Sequence, residues 1–146
     1  MSKGSMIVSR VEERAHRVLR ITESHGEPLQ VVRYFAGEKY GNHHDYFDPE
    51  LYRNQPSMME MIDDGERQRL ATLLWYISAP TLGGETHFPR AGGLSDPPVE
   101  LGSCSFQDGD VLRGISVAPV RGLATLFYGL IPDGQLDPRF ASSARG

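Results

Sequence analysis

The stretch Tyr40-Gly41-Asn42-His43-His44-Asp45-Tyr46-Phe47-Asp48 sets two metal-type ligands, His43 and Asp45, two residues apart. Side chains alternate faces along a strand, so positions 43 and 45 point the same way and His44 the other. The pairing suggests an iron centre, because non-haem iron(II) oxygenases hold their metal with two histidines and one carboxylate and leave positions open for co-substrate and oxygen. Two of the three ligands of such a set are visible in this stretch, and the third has to come from elsewhere. A surface strand can also carry His-x-Asp by chance, so the pair alone is a weak signal.

The elements that would position the pair are short. Ser9 followed by Glu12 reads as a capping box, and Val11, Ala15, Val18, Leu19 and Thr22 recur at helical spacing, which predicts one amphipathic helix ahead of the turn at Gly26 to Pro28. His16 within it and His25 after it read as surface or capping residues. Beyond the turn come short β-type runs: Leu29 to Phe35, Asn42 to Tyr46, Leu70 to Ser78, Glu85 to Phe88, Ile115 to Val120 and Leu123 to Leu130. Turn signals such as Ala36-Gly37, Gly83-Gly84, Arg121-Gly122 and Pro132-Asp133-Gly134 separate nearly all of them. Many short strands with this punctuation favour a sandwich, barrel or jelly roll over a parallel α/β sheet. Two long connections, Asp48 to Gln68 and Pro89 to Gly114, have the length of functional lids or mobile insertions, and Met58, Met59, Met61 and Ile62 predict a short helix packing on the sheet.

Composition bounds the rest. With 146 residues and 39% apolar content the chain is expected to form one domain with a modest core. A net charge of −4 gives no basic field for nucleic acid. Cys104 is the only cysteine, so neither an intrachain disulfide nor a Cys/His zinc pattern can be drawn, and it reads as an inert, partly buried thiol. No apolar run approaches the roughly 18 residues of a membrane helix, and Met1 to Ser9 lacks the apolar centre of a signal peptide.

Context around the pair is more specific. Leu29-Gln30-Val31-Val32-Arg33-Tyr34, Gly37-Glu38-Lys39-Tyr40 and His43-His44-Asp45-Tyr46-Phe47-Asp48-Pro49 are followed by Arg69-Leu70-Ala71-Thr72-Leu73-Leu74-Trp75-Tyr76-Ile77 and Gly83-Gly84-Glu85-Thr86-His87-Phe88-Pro89. Arg121-Gly122-Leu123-Ala124-Thr125-Leu126-Phe127-Tyr128 and Asp133-Gly134-Gln135-Leu136-Asp137-Pro138-Arg139 complete the series. In this order the blocks resemble the prolyl 4-hydroxylase family of iron(II) and 2-oxoglutarate dependent dioxygenases. The resemblance implies a mainly β fold with an N-terminal helix, a double-stranded β-helix (jelly roll) incomplete at its C-terminal end. It spans residues 10–139, with 1–9 and 140–146 expected as flexible tails. It further implies hydroxylation of peptidyl proline coupled to decarboxylation of 2-oxoglutarate to succinate, with Fe(II) as metal and ascorbate as reductant. The partner would be a proline-containing peptide or protein, and the compartment the endoplasmic reticulum, with the cytoplasm as alternative.

Carried onto this chain, the resemblance makes His43 and Asp45 the first two iron ligands. Tyr34 and Thr86 become polar groups lining the 2-oxoglutarate pocket, and Tyr40, Arg69 and Glu27 residues facing the proline. The residues alone favour Tyr34 and Tyr40 packing between sheets and Arg69 pairing with a surface acid. His87 falls on the opposite face from Thr86 by alternation, at a position the family varies. The pattern departs at one end: where the family places its second histidine ligand, after Asp137-Pro138-Arg139, this chain has Ser142, and no histidine follows His87. The family's basic partner for 2-oxoglutarate, usually a lysine, and the strand bearing it would lie past Gly146. A start at Met1 leaves little room for the strands and membrane anchor that often precede this region. Three expectations follow: an oxygenase, a non-catalytic relative keeping the fold and a proline-peptide groove, or an incomplete product of a hydroxylase gene.

Overall fold

The computed structural model describes residues 5–91, 114–137, 139, 140 and 142–145, the last four by their backbone. Cys104 and most of the Pro89 to Gly114 connection lie outside the described residues. The chain divides into two compact units, Met1–Arg33 and Tyr34–Gly146.

In the first unit, α1 spans Met6–Leu19 and is capped by Ser5, whose hydroxyl accepts from the Ile7 amide. The helix therefore starts ahead of the Ser9 cap expected from sequence, because Ser5 already supplies a cap oxygen one turn earlier. Arg20 closes it in the left-handed conformation. Gly26 then passes against the His16 ring, where an added Cβ would lie 2.4 Å from the imidazole.

The run Leu29 to Phe35, expected as a strand, takes no regular secondary structure, and Val31, Val32 and Phe35 are exposed. Alternating apolar residues permit a strand, but a sheet neighbour has to form it.

The second unit holds the strands β1 (Lys39–His43), β2 (Ala71–Trp75), β3 (Thr86–Phe88), β4 (Ile115–Val117), β5 (Ala124–Tyr128) and β6 (Ser142–Arg145). Two short helices, α2 (Pro49–Tyr52) and α3 (Pro56–Met61), fill the first long connection, and α3 carries the methionine cluster. All pairings are antiparallel, in a four-stranded sheet ordered β1-β6-β3-β4 and a two-stranded sheet β2-β5. The fold is thus mainly β with an N-terminal helix. Residues 142–145, assigned from sequence to a flexible tail, pair on both sides as β6.

Register decides which residues share a face. Tyr40 pairs with Ala144 and His43 with Ser142, so β1 carries one residue more than β6 over this interval. That bulge puts positions 40 and 43 on the same face although simple alternation would separate them. Thr86 also pairs with Ala144, so Tyr40, His43 and Thr86 all belong to one face of the larger sheet. On β2, Thr72 pairs with Phe127 and Leu74 with Thr125, and residues 72, 74 and 76 share the other sheet's inner face. The two faces meet where Phe88 and Phe127 stack edge to face, centroids 5.0 Å apart, with Phe140 6.1 Å beyond Phe88. Gly114, just before β4, takes φ +91°, and a Cβ there would lie 2.1 Å from the Phe88 carbonyl oxygen, so both the conformation and the space call for glycine.

A side-chain clamp fixes the end of the ligand stretch. Gln68 donates from Nε2 to the Phe47 carbonyl at 2.7 Å and accepts from the Phe47 amide at 3.0 Å. Both ends of the helical connection are thereby held together, setting Asp45 beside the start of β2.

Candidate metal centre

β1 ends at His43, and Asp45 lies in the turn beyond it rather than on the strand. The two side chains converge nonetheless, with His43 Nε2 3.3 Å from Asp45 Oδ1. His43 Nδ1 lies 2.9 Å from the Gly41 carbonyl oxygen, an acceptor only, so Nδ1 carries the proton and Nε2 presents its lone pair toward Asp45 when the ring is neutral. Tyr40 stacks on the same imidazole with ring centroids 4.0 Å apart, a contact that the bulge makes possible.

Asp45 is the more buried partner, at 13% side-chain exposure against 28% for His43. Burial pushes its carboxyl up, but hydrogen bonds from His43 and Thr72, with the charges of His43 and Arg69, hold it below the usual carboxylate range. The His43 ring is raised, chiefly by its hydrogen bond to Asp45. Thr72 donates its hydroxyl to Asp45 Oδ2, leaving Oδ1 to face His43. The Arg69 guanidinium lies over the Phe47 ring, 4.7 Å from its centroid, close enough to act electrostatically on both His43 and Asp45.

Thr86 is buried and accepts the Tyr76 hydroxyl at 2.7 Å. Tyr34, on the exposed side, has its phenol raised by burial and by the neighbouring Tyr40. His87 turns to the opposite face of β3, where its Nδ1 meets the Ser116 hydroxyl at 2.8 Å. The His44 ring is lowered from the usual imidazole range, principally by burial and then by the charge of Arg90.

The contacts thus gather His43, Asp45, Tyr40 and Arg69 at one place, with Thr86 on the same sheet face and Tyr34 near Tyr40. Glu27 belongs to the N-terminal unit. A hollow of about 530 Å³, lined by Leu70, Tyr128, Ile131, Asp137 and Phe140 among others, contains none of the nominated residues. Two hydroxyls that the sequence reading gave no role, Thr72 and Tyr76, contact the site directly. Their signal was available in the spacing, since 72, 74 and 76 fall on one face of a strand.

The donor pair suits a divalent cation: ligand atoms about 2.1 Å from an ion and at right angles lie about 3 Å apart, and one donor is anionic. Among the described residues no third His, Cys, Asp or Glu completes a cluster. Ser142, where the resemblance would place a second histidine, is the register partner of His43.

No family model matches the chain. Among individual proteins, prolyl 4-hydroxylase 1 of Arabidopsis thaliana is 35% identical over 133 residues, covering 91% of this chain and 40% of that protein. Two others of the same plant, named probable prolyl 4-hydroxylase 8 and prolyl 4-hydroxylase 5, are 38% and 37% identical over 135 residues each, covering 90% of this chain. The chain spans 41% of the length of each of these two. Eight such proteins, 35–39% identical, match some nine-tenths of this chain, which supports its membership of the prolyl 4-hydroxylase family.

Proposed function

We propose that this chain carries the metal-binding part of an iron(II) and 2-oxoglutarate dependent dioxygenase acting on peptidyl proline. The observation that carries the reading is the facing pair His43 Nε2 and Asp45 Oδ1, 3.3 Å apart. Iron(II) held there would activate dioxygen, one oxygen atom entering succinate as 2-oxoglutarate loses carbon dioxide and the other becoming the proline hydroxyl. The protein's own part is positioning and exclusion of water.

His43 and Asp45 are the ligands in this proposal. The Thr86 and Tyr34 hydroxyls line the 2-oxoglutarate pocket, with the Tyr76 hydroxyl bonded to Thr86 as its support. Tyr40 and Arg69 face the prolyl peptide, an aromatic surface and a guanidinium suiting a proline ring and its carbonyl. The two sheets are the walls of the jelly roll that the family resemblance implies, and ascorbate is the reductant.

A second reading rests on the His43–Ser142 register pair. A relative that keeps the fold and a proline-peptide groove, but holds metal by two ligands alone, binds it weakly and does not turn over. Iron(II)-dependent succinate formation from 2-oxoglutarate with a proline-rich peptide separates the two. The dioxygenase reading expects turnover that His43→Ala abolishes; metal uptake with succinate no higher than in that variant supports the non-catalytic relative.

A further inference from the structure

We propose that Thr72 is a positioning residue for Asp45, selecting which carboxylate oxygen is presented beside His43. This rests on the reading of His43 and Asp45 as metal ligands and adds a residue from the opposite sheet. Thr72 stands on the inner face of β2, and its hydroxyl reaches across to donate to Asp45 Oδ2. Oδ1 then remains as the oxygen nearest His43 Nε2.

A carboxylate in a turn after a strand end has freedom about its last torsion and can offer an ion one oxygen or both. Occupying one lone pair of Oδ2 with a hydroxyl proton weakens it as a ligand and orients the carboxylate to favour a one-oxygen ligand through Oδ1. Threonine suits the task better than serine in one respect: β-branching restricts χ1, so the hydroxyl is held on the Asp45 side. Its backbone is fixed as well, since Thr72 pairs with Phe127, whose ring locks the two sheets against Phe88. Tyr76, two residues beyond Leu74 on the same face, does the corresponding thing to Thr86. One strand face therefore supports two groups of the site through hydroxyl donors.

The test compares the full chain with Thr72→Val, Thr72→Ser and His43→Ala. Mn(II) titration is followed by loss of the free-ion EPR signal, and the visible spectrum of the Co(II)-loaded protein reports coordination number. Thr72→Val is expected to weaken Mn(II) binding roughly 10- to 100-fold and to change the Co(II) band as Asp45 becomes free to chelate with both oxygens. Thr72→Ser is expected to stay near the parent in both. If valine unfolds the strand, as circular dichroism would reveal, Thr72→Ala takes its place with the same expectation. Parent-like affinity and spectrum in the hydroxyl-free variant overturn the assignment alone, as does a serine variant as impaired as valine. Parent Mn(II) uptake no better than that of His43→Ala overturns the assignment together with the metal reading beneath it.

Discussion

Tyr76 and Thr86 each bury a hydroxyl, and each satisfies the other: the phenol donates to Thr86 Oγ1 at 2.7 Å, with the Val117 carbonyl oxygen 3.4 Å away as a poorer alternative. Removing one partner of a buried hydrogen bond strands the other, which costs about 1–3 kcal/mol, whereas removing both leaves little unsatisfied. Tyr76→Phe is therefore expected to lower unfolding free energy by about that amount in urea denaturation, and Tyr76→Phe/Thr86→Val by less than the sum of the two single changes. Additive losses would show that the hydroxyls act independently. Under the proposed function the same pair would matter too, because Thr86 still has its proton to donate after accepting from Tyr76. That is the polarity a carboxylate of 2-oxoglutarate would require.

At the scale of elements, β6 places residue 142 opposite His43. Directly paired residues in an antiparallel ladder sit close enough for their side chains to interact, so a histidine there should reach the donor pair. Ser142→His is expected to tighten Mn(II) binding by at least about tenfold, worth roughly 1.4 kcal/mol, in a free-ion EPR titration. Unchanged affinity would mean that the register does not bring position 142 to the metal. None of this register was legible beforehand. Ser142-Ser143-Ala144-Arg145 has little strand propensity and becomes a strand because β1 and β3 flank it. The bulge in β1 is likewise invisible to a period-of-two reading, which is why the Tyr40–His43 stack was missed while the His43–Asp45 pairing was legible. The converse failure is Leu29 to Phe35, a β-type run that pairs with no strand among the described residues. Runs with a sheet partner, such as Ala71–Trp75 and Ala124–Tyr128, came out close to expectation.

For the molecule as a whole, stability has few apolar anchors to rely on: among the described residues only Ile62, Tyr76, Phe88 and Phe127 form the buried hydrophobic set. Polar anchors then carry more weight, and Asp137 is the most enclosed of the carboxylates described. It takes the Arg139 guanidinium in a fork, Nη2 to Oδ2 at 2.6 Å and Nε to Oδ1 at 2.9 Å, while its own amide donates to the Gly129 carbonyl. This turn leads from β5 toward β6, the strand that joins the two halves of the larger sheet. The hydrogen bond from Arg139 holds the Asp137 carboxyl below its usual range, outweighing the upward push of burial. A carboxyl depressed in the folded state binds its proton more readily when unfolded. Its contribution is therefore complete above the unfolded value of about 3.9 and disappears as pH falls through the lower folded value. Asp137→Asn should accordingly unfold at lower urea than the parent at pH 7, with the gap narrowing below about pH 4. Arg139 is half exposed, so added salt should shrink the neutral-pH gap in part, leaving the share that comes from the buried hydrogen bonds. A gap of constant size from neutral to acid pH would show instead that Asp137 acts by shape alone and that its charge does not help hold β6 in place.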